Sequence, residues 1–176
     1  MTYLGPEISA LDLTYLHDRF TPLQNNKLLE PTPGTLWDYI VQHSEKLSLY
    51  KCLVVKAQMQ NIFDDIQLEK TYLLCEDTDL LKSFSTSDIL KSNKNTAMKI
   101  IQYNSFNRKI NSRDIASSSS LRLNTSLRGH FIESHVGKEI TFLGEKNNVS
   151  VVKKPDIILN NANVCLCTSL LIPEIF

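Results

Sequence analysis

The chain has 176 residues, 42% of them hydrophobic, with 19 Lys plus Arg balanced by 19 Asp plus Glu. A domain of this size hides roughly 70% of its unfolded surface, so one substantial core is expected, and the even charge removes any global pull toward nucleic acid or anionic lipid. No stretch approaches the roughly 18 uncharged apolar residues of a membrane-spanning helix. Glu7, Asp12 and Asp18 break up Met1 to Phe20, which lacks the basic start and continuous apolar run of a secretory signal.

Residues 1 to 34 hold Pro6, Pro22, Pro31 and Pro33 and the pair Asn25-Asn26, with one short helical stretch at Leu11 to Arg19, and read as an extended arm. The domain, residues 35 to 176, opens after Pro33-Gly34: Thr35 is an N-cap and Asp38, three residues on, is placed to return the bond, so a helix is predicted to start at Leu36. Leu36, Trp37, Ile40, Val41 and Leu47 supply its buried face, and a second helical stretch runs from Leu53 to Phe63. Lys70 to Glu76 reads as a buried strand. Ser85 and Asp88 repeat the capping pattern, and Asn95 is the predicted cap of a helix over Thr96 to Tyr103.

Beyond the loop Ser117 to Ser120, short β-type runs follow at Leu121 to Ser126, His130 to His135, Glu139 to Leu143, Asn148 to Lys153 and Asn163 to Thr168. Gly144 to Asn148 and Asn160 to Asn163 are hairpin turns by composition, since Gly and Asn tolerate positive φ. Helices first and strands last make the class α+β.

The order of these elements, with the residues at their joints, resembles the fasciclin-like domain over roughly residues 35 to 173. Thr35 to Ile40 is similar to the family's opening helix, Thr71 to Asp79 to its first conserved block, Thr96 to Asp114 to its second, and Pro155 to Pro173 to its closing hairpin. The resemblance implies a twisted β-sandwich or wedge covered by several short helices. It also implies a module that binds proteins through the region of a Tyr-His pair and through Asp-Ile segments, here Tyr103-Asn104, Asp88-Ile89 and Asp156-Ile157. This chain departs from the pattern: Asn104 stands where the imidazole would be, an amide that can hydrogen-bond but cannot titrate near neutral pH. The Gly and Pro that usually follow are missing from Ser105 to Lys109, and the leader typical of this mostly extracellular family is not evident.

Reactive residues do not assemble into a catalytic pattern. His17, His43, His130 and His135 are not spaced as zinc-protease ligands, and the five glycines form no phosphate-binding loop. Cys165 and Cys167 share a strand face, so with Cys52 or Cys75 they define a metal- or thiol-dependent alternative, against which packed core thiols are the simpler reading. Asn124-Thr125-Ser126 and Asn148-Val149-Ser150 fit the glycosylation pattern but need secretion to be used. Lys153-Lys154 and the cluster Arg108, Lys109 and Arg113 are short charge runs of the kind that usually face solvent.

The expectation is therefore a non-enzymatic domain without cofactor, whose partners are other proteins, namely neighbouring subunits of an assembly that it cements. The arm and a composition rich in Lys, Asn, Ile and Ser but poor in Gly and Ala point to a minor capsid protein of a large DNA virus, located in the virion or cytoplasm. The alternative is an adhesion module reaching the cell surface or matrix by a non-classical route.

Overall fold

The computed structural model describes residues 30–174. Contacts divide the chain after Thr32, and the elements described here all belong to the second unit, Pro33–Phe176. The helix expected at Leu11 to Arg19, most of the expected arm, and His17 lie outside the described residues.

Helix α1 (Leu36–Gln42) starts where its cap predicts: the Thr35 hydroxyl accepts the Asp38 N–H at 3.2 Å. The Asp38 carboxylate takes the N–H of Gly34, at 2.9 Å. The helix also ends sooner than its apolar spacing suggests. His43 leaves the helical region at φ −111, and its ring nitrogen and backbone N–H both turn onto the Tyr39 carbonyl. Leu47 thus belongs to α2 (Ser44–Ala57), which buries Leu47, Tyr50, Leu53, Val54 and Ala57. Gln58, in the left-handed region at φ 57, divides α2 from α3 (Gln60–Asp64) and breaks the single stretch expected over Leu53 to Phe63.

Strand β1 (Lys70–Leu74) is followed by α4 (Asp77–Leu80) and by α5 (Thr86–Lys91), which carries the expected capping box between Ser85 and Asp88. Helix α6 (Lys94–Tyr103) begins two residues before its expected start, because Asn93 and not Asn95 is the cap: the Asn93 side-chain oxygen accepts the Thr96 N–H at 2.8 Å. Its buried residues are Ala97, Ile100, Ile101 and Tyr103.

The remaining elements are β2 (Ser105–Phe106), α7 (Ser112–Ala116), β3 (Ser120–Asn124), β4 (Phe131–Val136), β5 (Ile140–Leu143), β6 (Val149–Ile158) and β7 (Ala162–Cys167). Among the described residues the strands form one seven-stranded sheet in the order β2-β1-β7-β6-β5-β4-β3. Strand β7 lies parallel to β1, and the other pairings are antiparallel. β6 is longer than expected because it serves both halves of the sheet. Val149 to Val151 pair with β5, and Val152 to Ile158 pair with β7 through two register shifts, the second of which accommodates Pro155 and Asp156, the latter at φ 57. The outer strands also approach each other: the Ser126 N–H donates to the Ser105 carbonyl at 2.8 Å, so the sheet nearly closes.

Helices and sheet share one core. Tyr50, Phe63, Tyr103, Phe106 and Phe142 are fully enclosed, and the Phe63 ring lies 4.7 Å from that of Tyr72. Each such side chain contributes about 1.5–3 kcal/mol by leaving water. No described helix is long and apolar enough to cross a membrane.

Candidate functional site

The junction at Tyr103 and Asn104 is a knot of buried polar bonds at the end of α6. Both residues are fully buried. The Asn104 amide nitrogen donates to the carbonyls of Ile100 at 2.8 Å and Leu171 at 2.9 Å, while its oxygen accepts the Leu171 N–H at 2.8 Å. The Asn104 carbonyl accepts the Leu73 N–H at 2.9 Å. The side-chain amide therefore joins α6 to the closing segment after β7, and the backbone carbonyl of the same residue adds β1. Because it carries no charge, the connection holds at any pH.

The Tyr103 hydroxyl accepts the Glu145 N–H at 2.9 Å and donates to the Phe131 carbonyl at 3.2 Å. The Glu145 carboxylate, its side chain 9% exposed, is met by the His130 ring nitrogen at 2.8 Å, the Phe131 N–H at 3.1 Å and the Glu174 N–H at 3.3 Å. Burial pushes this carboxyl up, but the bonds from His130, Phe131 and Glu174 outweigh it and hold the group below its ordinary value. Burial pushes the Tyr103 phenol up to about 12. Gly144 packs closely here: a Cβ on it would stand 2.5 Å from the Asn148 side-chain oxygen, which would have to move, and 3.3 Å from the Tyr103 hydroxyl. His130 and Glu145 lay outside the contact residues expected from the sequence, since no local spacing links residues so far apart in the chain.

Of the expected Asp-Ile segments, Asp88 is exposed and Ile89 buried, and both line an open groove of about 320 Å³ with Leu53, Phe84, Ile100 and Ile172. Leu81 and Leu90, adjoining in sequence, are 47% and 57% exposed. Through Ile100 and Ile172 this groove backs onto the Tyr103-Asn104 junction. Asp156 and Ile157 sit at a separate corner. The Asp156 carboxylate accepts the N–H of Ser112 at 2.7 Å and also the Ser112 hydroxyl, pinning the start of α7, while Ile157 pairs with Val164. The groove at Asp88-Ile89 thus shares Ile100 with the Asn104 junction, and Asp156-Ile157 does not line it.

Cys75, Cys165 and Cys167 are buried, Cys52 is half-buried, and all four are free thiols. Burial pushes the Cys165 thiol up to about 11 and also raises Cys75 and Cys167, so the nucleophilic thiolate is disfavoured at each. Among the described residues no three His, Cys, Asp or Glu side chains are grouped to hold a metal. Lys153 is drawn to the buried carboxylate of Asp79 at 2.6 Å, and Lys82 meets the same group at 3.0 Å. His135 lies 3.5 Å from Glu133 at the surface.

No family model matches the chain, and no curated protein matches it. Among solved structures, it is similar to a FAS1 domain pair from the insect cell adhesion molecule fasciclin I, at a TM-score of 0.67 and 13% identity. The match covers 82% of this chain and 52% of that one, so the chain spans about half the length of the domain pair. The fold is fasciclin-like.

Proposed function

We propose that this fasciclin-like domain is a protein-interaction module that acts by holding another polypeptide and not by carrying out a reaction. The observation that carries the reading is the apolar groove at Asp88 and Ile89, lined also by Leu53, Phe84, Ile100 and Ile172. Apolar surface of this kind, edged by polar side chains, is typical of protein contacts. Asp88 stands at the exposed edge of the groove and Ile89 beneath it, while Tyr103 and Asn104 support its rear wall by fixing α6 against the closing segment. Asp156 and Ile157 offer a second, smaller contact at the β6 bulge.

The finer reading is a cement of a larger assembly, in particular a minor capsid protein of a large DNA virus whose partners are neighbouring subunits in the virion. Its support is the Pro-rich sequence of residues 1 to 34 and the Lys-, Asn-, Ile- and Ser-rich composition. The second reading is cell-surface or matrix adhesion, favoured because the similar solved structure comes from a cell adhesion molecule. Under it, a glycan is expected on exposed Asn124 and not on Asn148, whose amide is bonded to Ile172.

Cross-linking mass spectrometry on the native source material separates the two. Cross-links from Lys82 or Lys91 to a neighbouring subunit, lost in a Phe84→Asp variant that still folds, support the groove as the contact. A monomeric protein missing from purified particles overturns the cement reading, and a glycosylated Asn124 at the cell surface establishes the adhesion reading.

A further inference from the structure

Apart from the apolar groove, the domain has a polar cleft of about 360 Å³ lined by Asn107, Arg108, Ile110, Arg122, Leu123, Asn124 and Thr125. It lies at the seam of the sheet. Its residues come from the segment leaving β2 and from β3, the two outermost strands, which are held together at Ser105 and Ser126 and part beyond that point. The floor includes two core side chains, Ile110 and Leu123, exposed by only 2% and 1%. Above them stand two guanidinium groups that form no ion pair with any described residue.

The backbone of Arg108 and the side chain of Arg122 are held in place. Arg108 rides on a segment fixed from below: the Thr71 hydroxyl donates to the Arg108 carbonyl and accepts the Ile110 N–H, each at 2.7 Å, and the Asn163 amide donates to the Ile110 carbonyl at 3.3 Å. The next wall is tied across the seam, where the Ser126 hydroxyl donates to the Asn107 side-chain oxygen at 2.9 Å. The Arg122 guanidinium lies over the Phe131 ring, 3.4 Å from its centroid. The acid facing Arg122 across the strand pair, Glu133, is turned to His135. Two guanidinium groups without an ion-pair partner, lining one cleft with the side chains of Asn107 and Asn124, suit a planar or tetrahedral oxyanion, since a guanidinium fork matches carboxylate and phosphate oxygens. The stacking of Arg122 on Phe131 lowers the ordering cost of binding at that side chain.

We propose that this cleft is an oxyanion-binding site in which Arg108 and Arg122 clamp a carboxylate or phosphate, with the side chains of Asn107 and Asn124 beside them. The ligand is either a free small acid or an acidic side chain of a partner polypeptide.

The test titrates the full chain with inorganic phosphate, butyrate and a blocked Val-Glu-Val peptide, following the arginine side-chain N–H resonances by NMR. Saturable shifts confined to Arg108, Arg122 and the amides of 107–110 and 122–125 are expected. Either R108A or R122A should weaken binding by about tenfold or more, as for loss of one charged hydrogen-bonding group. R122K should recover only part, because an ammonium lacks the fork, and R128A should leave binding unchanged. Peptide binding at least tenfold tighter than butyrate assigns the site to a partner chain. Equal affinities assign it to a free acid, and preference for phosphate assigns it to a phosphorylated ligand. Failure of all three probes to saturate, or equal shifts at Arg113 and Arg128, overturns the proposal.

Discussion

Tyr50 shows how far single residues depart from local rules. Its ring is fully enclosed, yet its hydroxyl has no hydrogen-bond partner among the described residues. An orphaned buried hydroxyl costs about 1–3 kcal/mol, so Tyr50→Phe is expected to leave stability unchanged or raise it by up to about 1 kcal/mol in urea unfolding. A loss of about 1 kcal/mol or more would show that the hydroxyl is satisfied in the folded protein. Asn104 is the opposite case, with every side-chain bond made inside the domain. The sequence identifies Asn104 as a polar residue at the end of a helix, but its bonds to Leu171 span 67 positions and no pattern in a single chain announces them. His130, Glu145 and Arg122 were illegible for the same reason, since each gains meaning only from a neighbour on another strand.

At the scale of elements, the helix starts were legible because caps use chemistry three residues away. Thr35 and Ser85 act as their spacing predicts. Around α6 the sequence Asn93-Lys94-Asn95-Thr96 offers two amides, and only geometry distinguishes them. Asn93→Ala is expected to cost about 1 kcal/mol, with Asn95→Ala closer to neutral, as read from paired denaturation curves. The reverse ranking would return the cap to Asn95. The break at His43 was not legible, since apolar spacing continues smoothly across it while the His43 ring turns back onto Tyr39. The length of β6 was likewise hidden, because Pro155 and Asp156 look like a strand end and instead occupy a bulge.

For the domain as a whole, two buried carboxylates bind distant parts together. Asp79 of α4 holds Lys153 of β6, and Glu145 holds the start of β4 and the closing segment. In both, burial raises the carboxyl pKa but bonding partners outweigh it and leave the folded value below the ordinary one. Each therefore contributes stability that is complete above the unfolded carboxylate range near about 4 and is lost as pH falls through the lower folded value. Calorimetry should show the melting temperature dropping steeply below about pH 4, and Glu145→Gln should melt lower at about pH 7 but fall less on acidification. Equal acid slopes in the variant and the parent would remove Glu145 from this role. The fold class and the arrangement of helices before strands were legible in the sequence, whereas the seam between β2 and β3 that creates the arginine cleft depends on closure of the entire sheet.

The position of β7 has a consequence for how the protein is made. This strand, the last in order among those described, fills the gap between β1 and β6. Until residues 162 to 167 have left the ribosome, β1 and its helices face a β6 half they cannot reach, and both exposed edges await the same strand. Such long-range pairing is slow to form and leaves sticky edges open meanwhile. The nascent domain is thus committed to its native sheet only once this strand has emerged, and a chain stalled before Ala162 is a natural client for a chaperone.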